Sequence, residues 1–471
     1  MSSRLVAGVD SSTQSTKIVV CDAETGAVVR TSRAPHPDGT SVDPEVWWRA
    51  YEDATADGML DGVEAIAVGG QQHGMVALDS DGAVVREALL WNDVRSAGAA
   101  RELVDELGGA GAWVDRLDVV PVAAFTVAKV RWLRDAEPDN AARLDTVVLP
   151  HDWLTGRILE AGGGLRGWTT DRGDASGTGY WSPVTGEYDA GIQRLALGRE
   201  FGVPRVLGPA EPAGVTDAGL VVGAGTGDNM GAALGLGLQP GDVVVSLGTS
   251  GTVFAVQDTP TRDASGQIAG FASADGRHLP LMCTLNAARV LTTGAQLLGV
   301  DLDEFSRLAL AAPIGAQGLT LLPYLDGERT PDLPDATGTL GGLTRANATP
   351  ENLARACVEG MLANLVAGVE GLKQHGLSAR RIVLIGGAAA SAAVREIAPI
   401  LFGLPVHIPA PGEYVGIGAA RQAAWALAGG DEPPAWHVAY DHELEATDDD
   451  VTAGRAVYER SVSYTHLTLP T

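Results

Sequence analysis

The sequence predicts a duplicated α/β protein built as two lobes facing a cleft. Strand-like apolar runs that end on glycine alternate with helical segments along most of the chain. Two hairpins with Gly/Ser/Thr turns recur at a fixed separation. A length of 471 residues is enough for two or three domains with a large core.

The first hairpin, Val6 to Val20, reads V-A-G-V-D-S-S-T-Q-S-T-K-I-V-V, and Asp10 stands where its first apolar run breaks. The turn exposes hydroxyls and backbone N–H groups, a concave row suited to phosphate. Taken alone, it reads equally well as a surface hairpin. The second hairpin, Val245 to Val256, reads V-S-L-G-T-S-G-T-V-F-A-V; a shift of 236 residues superimposes Asp10 on Ser246, Thr13 on Thr249 and Thr16 on Thr252. The repeat makes the two hairpins a pair of phosphate loops with a cleft between lobes. The acid occurs only in the first, which fits one loop that organises a divalent metal and another that supplies N–H and hydroxyl donors.

Apolar residues make up 45% of the chain, as in a folded globular protein, and the net charge is −26. That charge argues against nucleic acid or anionic membrane as a partner but leaves room for a phosphorylated ligand in a local N–H nest. Cys21, Cys283 and Cys357 lie far apart without C-x-x-C spacing, which suits a reducing cytoplasm and offers no zinc site. No signal-peptide pattern precedes the first strand, which Met1 to Val9 enters directly, and no run of about 18 uncharged apolar residues occurs. A soluble, cytoplasmic protein is expected.

In chain order, Glu24–Gly26 is a turn into a third antiparallel strand, and Pro44 after Asp43 marks the start of a helix carrying Trp47, Trp48 and Tyr51 at core spacing. A buried strand, Ala65 to Val68, ends in Gly69–Gly70, and Gln71, Gln72 and His73 emerge at its carboxyl end. Ligands of open α/β sheets bind beyond that end, so these side chains fit a polyhydroxylated substrate; a polar turn is the alternative. Another apolar run ends on Trp91, Asn92, Asp93 and Arg95. Helices are predicted over residues 101–107, 127–134 and 140–144, with a further helix start at Pro150–Trp153.

The formal G-x-G-x-x-G at Gly162–Gly167 has no strand before it and no helix after it, so it reads as a loop. Asp171 and Asp174 are open to a metal or substrate role, or to the commoner turn and capping roles. In V-V-G-A-G-T-G-D-N-M-G, Asp228 reads either as an N-cap or as the carboxylate that takes a proton from an attacking hydroxyl. Helices over 290–298 and 351–372 follow, then a buried strand ending in Gly386–Gly387, where small residues would admit a flat base or simply pack tightly. The boundaries expected are 1–222, 223–430 and a polar tail 431–471. The terminal S-V-S-Y-T-H-L-T-L-P-T continues no pattern and is set aside as a sequencing scar.

No P-loop, G-x-S-x-G, H-E-x-x-H or protein-kinase motif set occurs. The motifs present resemble those of the FGGY carbohydrate kinases, within the sugar kinase/heat-shock ATPase/actin superfamily. G-V-D-S-S-T-Q-S-T-K and S-L-G-T-S-G-T are similar to that family's two phosphate loops, G-Q-Q-H-G with L-W-N-D-V-R to its ketopentose-binding segment, and A-G-T-G-D-N to its catalytic-base motif. L-P-Y-L-D-G-E-R-T-P and I-G-G-A-A-A-S resemble second-lobe segments, and the likeness runs in order over residues 4–430. Ala136 and Cys357 depart from the pattern at positions away from the chemistry.

The resemblance implies a two-lobed actin-like, ribonuclease H-like ATPase fold, and it is nearest to the members that phosphorylate xylulose in xylose catabolism. It implies ATP and Mg²⁺, with Asp228 as the base for O5 of the sugar and Asp10 on the hydrated metal. Ser12, Thr13 and Thr249 then serve the phosphates, Gln72, His73, Asn229, Trp91 and Asp93 the sugar, and Gly294, Gly387 and Ser391 the adenine side. A homodimer is compatible with it. The alternatives are a kinase for ribulose, gluconate or glycerol, a heat-shock-type ATPase, and a non-catalytic sugar sensor. The heat-shock reading needs a peptide-binding domain that about 40 polar tail residues cannot supply.

Overall fold

The computed structural model describes residues 4–468; the first and last three residues, on which part of the N-terminal and tail expectations fall, lie outside the described residues. The chain forms two compact units. The first comprises residues up to Leu238 with Asp258–Leu279 and Gly412–Val438; the second comprises Gln239–Gln257, Pro280–Pro411 and the chain from Ala439 on.

In the first unit, β1 (Leu5–Ser11), β2 (Ser15–Asp22) and β3 (Val28–Pro35) form the expected antiparallel meander. The next strand, β4 (Val63–Gly70), lies parallel to β1 on its other side, and β5 (Val221–Val222) and β6 (Thr226–Gly227) lie parallel to β4. In the second unit, β7 (Asp242–Leu247), β8 (Gly251–Ala255) and the strand His278–Thr284 form a second meander, and Arg381–Ile385 lies parallel to β7 with Val406–Pro409 beyond it. Both units therefore have strand order 3-2-1-4-5. The duplication read from the hairpins extends to whole sheets.

The two hairpins differ by one residue in register. Asp10 pairs with Lys17, whereas Ser246 pairs with Thr252. The first turn holds one more residue than the second, so Lys17, and not Thr16, stands opposite the acid. Directly opposed residues in an antiparallel pair share a face. The first loop thus carries an acid–base pair where the second carries two hydroxyls.

Helix α1 (Glu45–Thr55) starts one residue later than expected, with Pro44 at its N-cap, and buries Trp47 and Tyr51. Helices α2 (Thr126–Ala136), α3 (Pro150–Ala161) and the short α4 (Arg172–Ser176) follow in the first unit, and α5 (Asp228–Gly235) leaves β6. The second unit is crossed by α6 (Pro350–Gln374), Pro350 opening it and Thr349 capping it. Helix α7 (Tyr414–Ala428) returns to the first unit and packs on β1. A Cβ on Gly8 would collide with the Gly416 carbonyl and come within 2.5 Å of Ala420 N, so this approach requires glycine.

Residues 223–238 and 412–430, expected in the second lobe, and 431–438, expected in the tail, group with the first unit because β6 extends the β4 ladder and α7 covers β1. Residues 461–468 of the terminal stretch that was set aside belong to a helix, Asp448–Thr468, which buries Ser461. A Cβ on Gly341 would sit 2.6 Å from the Tyr464 ring. Among the described residues no helix is long and apolar enough to cross a membrane.

Candidate active site

The site is organised by three parallel strand ends lying level. Asp10 on β1 is in register with Gly69 on β4, and Gly69 with Thr226 on β6. Neighbouring strands are about 4.8 Å apart, which puts Asp10 and Thr226 roughly 10 Å apart along the row. Gln71–His73 leave β4 at this edge, and Asp228 opens α5 two residues after Thr226.

Asp10 is buried and its carboxylate accepts from the Ser12 hydroxyl and, at 3.4 Å, from Lys17 Nζ. Lys17 in turn donates to Glu413 Oε2 at 2.6 Å. Burial pushes the Asp10 pKa up, and the Lys17 charge opposes this only in part. Burial also works against the charge on Lys17, but Asp10 and Glu413 outweigh it and hold its pKa above the usual lysine value. A buried hard carboxylate short of positive charge suits a divalent cation with oxygen ligands.

Asp228 is not the N-cap of α5. Gly227 occupies that position without a side-chain cap, and the half-buried Asp228 lies in the first turn. Its Oδ1 accepts from the backbone N and the side-chain Nδ2 of Asn229, both at 2.8 Å. Burial, reinforced by the charge of Asp10, raises its pKa to about 7, above the opposing effect of the Asn229 hydrogen bonds. Asn229 Nδ2 also donates to Gln72 Oε1 at 2.9 Å, which joins the end of β4 to the start of α5.

Gln72 Nε2 and both amide atoms of Gln71 are buried without a hydrogen-bond partner. His73 adopts a left-handed backbone (φ 64°), its Nδ1 lies 2.8 Å from the Gly177 carbonyl, and its ring stacks on Phe125 at 4.7 Å and packs against Phe271 at 5.5 Å. Trp91 Nε1 donates to Thr13 Oγ1 at 2.8 Å, tying the W-N-D segment to the turn of the first hairpin. Asp10, Ser12, Thr13, Trp91, Gln72, His73, Asn229 and Asp228 are thus all set around this strand edge of the first unit.

Asp93 is used differently. Its carboxylate accepts from Thr40 and from both the backbone and Nε of Arg95, so it braces the loop instead of offering a free acceptor. In the second unit, Thr249 lies exposed in the turn between β7 and β8, and Gly387 is open, with nothing within 4 Å of an added Cβ. Ser391 Oγ contacts Ser306 Oγ at 3.4 Å. Gly294 has a packing reason of its own: a Cβ there would be 2.7 Å from Phe305 and 3.0 Å from Cys357 Sγ.

The FGGY carbohydrate kinase N-terminal domain matches residues 5–237, and the FGGY C-terminal domain matches residues 243–427. The chain belongs to the FGGY family of carbohydrate kinases. It is 45% identical to the xylulose kinase of Streptomyces coelicolor, over 96% of this chain and 95% of that one. It is 44% identical to the xylulose kinase of Streptomyces rubiginosus, over 95% and 93%. The crystal structure of xylulose kinase from Bifidobacterium adolescentis superimposes with a TM-score of 0.91 at 44% identity, covering 98% of this chain and 99% of that one. The fold is the two-lobed ribonuclease H-like, actin-like class.

Three residues of this FGGY kinase escaped the sequence reading. Lys17 and Glu413 complete the Asp10 ion chain, and His151 contacts Asp174 at 2.5 Å in the interior. The first pair needed the strand register and a contact across 396 residues. The H-D dipeptide after Pro150 was the available signal for the third, but it reads locally as a helix start. Asp171 keeps the capping role, its carboxylate accepting from Gly173 N and Asp174 N, whereas Asp174 does not cap.

Proposed function

We propose that this chain transfers the γ-phosphoryl group of MgATP to O5 of D-xylulose, with Asp228 as general base. The observation that carries the mechanism is the Asp228 carboxylate itself: half-buried, held by Asn229 beside Gln72, and poised near pH 7. A base whose pKa lies close to the working pH combines an ionised resting state with useful proton affinity. Relatives named xylulose kinase at 44–45% identity support the choice of sugar.

Asp228 takes the proton of the sugar hydroxyl as its oxygen bonds to the γ-phosphorus and the bond to ADP breaks in line. Gln71, Gln72, His73 and Asn229 would orient the hydroxyl-rich substrate, and the unpartnered Gln71 amide and Gln72 Nε2 are the groups still to be satisfied. Ser12, Thr13 and Thr249 would contact phosphate oxygens. Asp10 would hold the hydrated magnesium, Lys17 sharing its charge with Glu413. When bound, the metal supplies neutralisation of the charge on the transferring group. The chain's own contribution is positioning and the proton acceptor.

An ADP-release assay across D-xylulose, ribulose, gluconate and glycerol tests the reading. D-Xylulose is expected to give the highest kcat/KM; a clear preference for another acceptor overturns the sugar assignment and leaves the base intact.

A further inference from the structure

His151 belongs to none of these assignments, and its surroundings are unusual. The ring is fully enclosed, with Nδ1 2.5 Å from Asp174 Oδ2 and Nε2 3.2 Å from Asp152 Oδ1 and 3.8 Å from Asp171 Oδ1. Burial alone would lower its pKa, but the charges of Asp152 and Asp174 outweigh burial and raise it to about 10. Carboxylates enclosed away from water need a cation or protons. Ligand atoms of His151, Asp171 and Asp174 lie within 4.8 Å of one another, a spacing a metal could use. Nδ1 is already engaged by Asp174, however, and the imidazolium itself supplies the positive charge.

The pair lies against the backbone that presents the base. A Cβ on Gly225 would run into the His151 ring, with Nε2 at 2.7 Å, and a Cβ on Gly70 would be 2.8 Å from His151 Cβ. A Cβ on Gly227 would be 3.1 Å from Asp174 Oδ1 and 2.8 Å from Gln72 Cγ. On α7, Gln422 holds Gly225 through both backbone groups, accepting from its N at 2.9 Å and donating to its O at 2.7 Å. The glycine segment before Asp228 is therefore gripped by Gln422 and also packed against His151 and Asp174. Asp174 Oδ1 is buried without a hydrogen-bond partner. Just beyond α4, Gly177 holds the His73 ring.

We propose that the His151–Asp174 pair is a positioning device for phosphoryl transfer, wedging the Gly225–Gly227 backbone so that the Asp228 carboxylate meets the hydroxyl aligned by Gln72 and His73. This rests on Asp228 being the base. Gly225 and Gly227 have no side chains to lock the backbone on either side of the buried Thr226, so beyond the β6 ladder its direction is set by what packs against those two glycines. A misplacement of about 1 Å at a reacting group can cost roughly a hundredfold in rate.

The test is steady-state kinetics of Asp174→Asn, with whichever sugar of the panel the wild type phosphorylates. The expected result is a kcat at least tenfold lower with sugar KM within threefold, because binding groups stay and the base shifts. Asp174→Glu keeps the charge but lengthens the wedge by one methylene; the same kcat loss at unchanged KM is expected, and it decides the matter where Asp174→Asn does not fold. A folded variant with kcat within twofold of wild type overturns the proposal, as does a KM increase that alone accounts for the lost kcat/KM. Asp228→Asn is run alongside: turnover retained there refutes the base reading itself, whatever the Asp174 variants do.

Discussion

Trp91 Nε1 donates to Thr13 Oγ1 at 2.8 Å, joining the W-N-D segment to the turn that follows Asp10. The contact makes Trp91 a brace for that turn. Replacing Trp91 by Phe keeps an aromatic ring and removes the donor. One neutral hydrogen bond contributes about 1 kcal/mol. A loss of roughly fivefold in kcat/KM for ATP is expected, read by varying ATP at saturating sugar.

Asp10 carries the ion chain to Lys17 and Glu413. Asp10→Asn should lower kcat by about a hundredfold or more, as loss of transition-state charge stabilisation does. It should also raise the magnesium concentration for half-maximal activity. A magnesium titration of both proteins checks this, and an unaltered midpoint counts against the metal role.

The pH dependence follows from Asp228. The carboxylate must be ionised to accept a proton, and burial places its pKa at about 7. kcat/KM should therefore fall about tenfold from its plateau by pH 6, with one acidic limb near 7. The linked stability runs the other way. A carboxyl whose folded pKa exceeds its unfolded value favours the folded state when protonated, and that contribution is lost as pH rises through about 7. Asp228→Asn should thus gain Tm relative to wild type at pH 8 but not at pH 4, as thermal melts at the two pH values will read.

Gly8 lets α7 lie directly on β1, where an added Cβ would strike the Gly416 carbonyl. The obstruction is backbone, which cannot swing aside as a side chain does. Gly8→Ala should destabilise by about 3 kcal/mol, the upper end for overpacking. Urea unfolding gives the value directly.

Much of this was local in the sequence. Asp10, the hydroxyl turns, Gly69–Gly70 and A-G-T-G-D-N are short patterns whose backbone demands can be read in place, and both sheets were anticipated by their hairpins. What was not legible depends on register or distant pairing. Lys17 faces Asp10 only because the first turn is one residue longer than the second. Asp93, which the resemblance assigns to the sugar, accepts from Thr40 and Arg95, partners that no local pattern announces. Gly294 looked like ligand access, yet Phe305 and Cys357 fill the space beside it. The compact units divide the chain elsewhere than the expected boundary because β6 joins, and α7 covers, a sheet begun some two and four hundred residues earlier.

The most direct test of the account is single-turnover phosphorylation of D-xylulose by Asp228→Asn, followed by ³¹P NMR with the fold checked by circular dichroism. Removing a general base costs about 10² to 10⁴ in rate. A folded variant that binds ATP and the sugar but forms xylulose 5-phosphate at least a hundredfold more slowly is the predicted result. Product formation within threefold of wild type would contradict it.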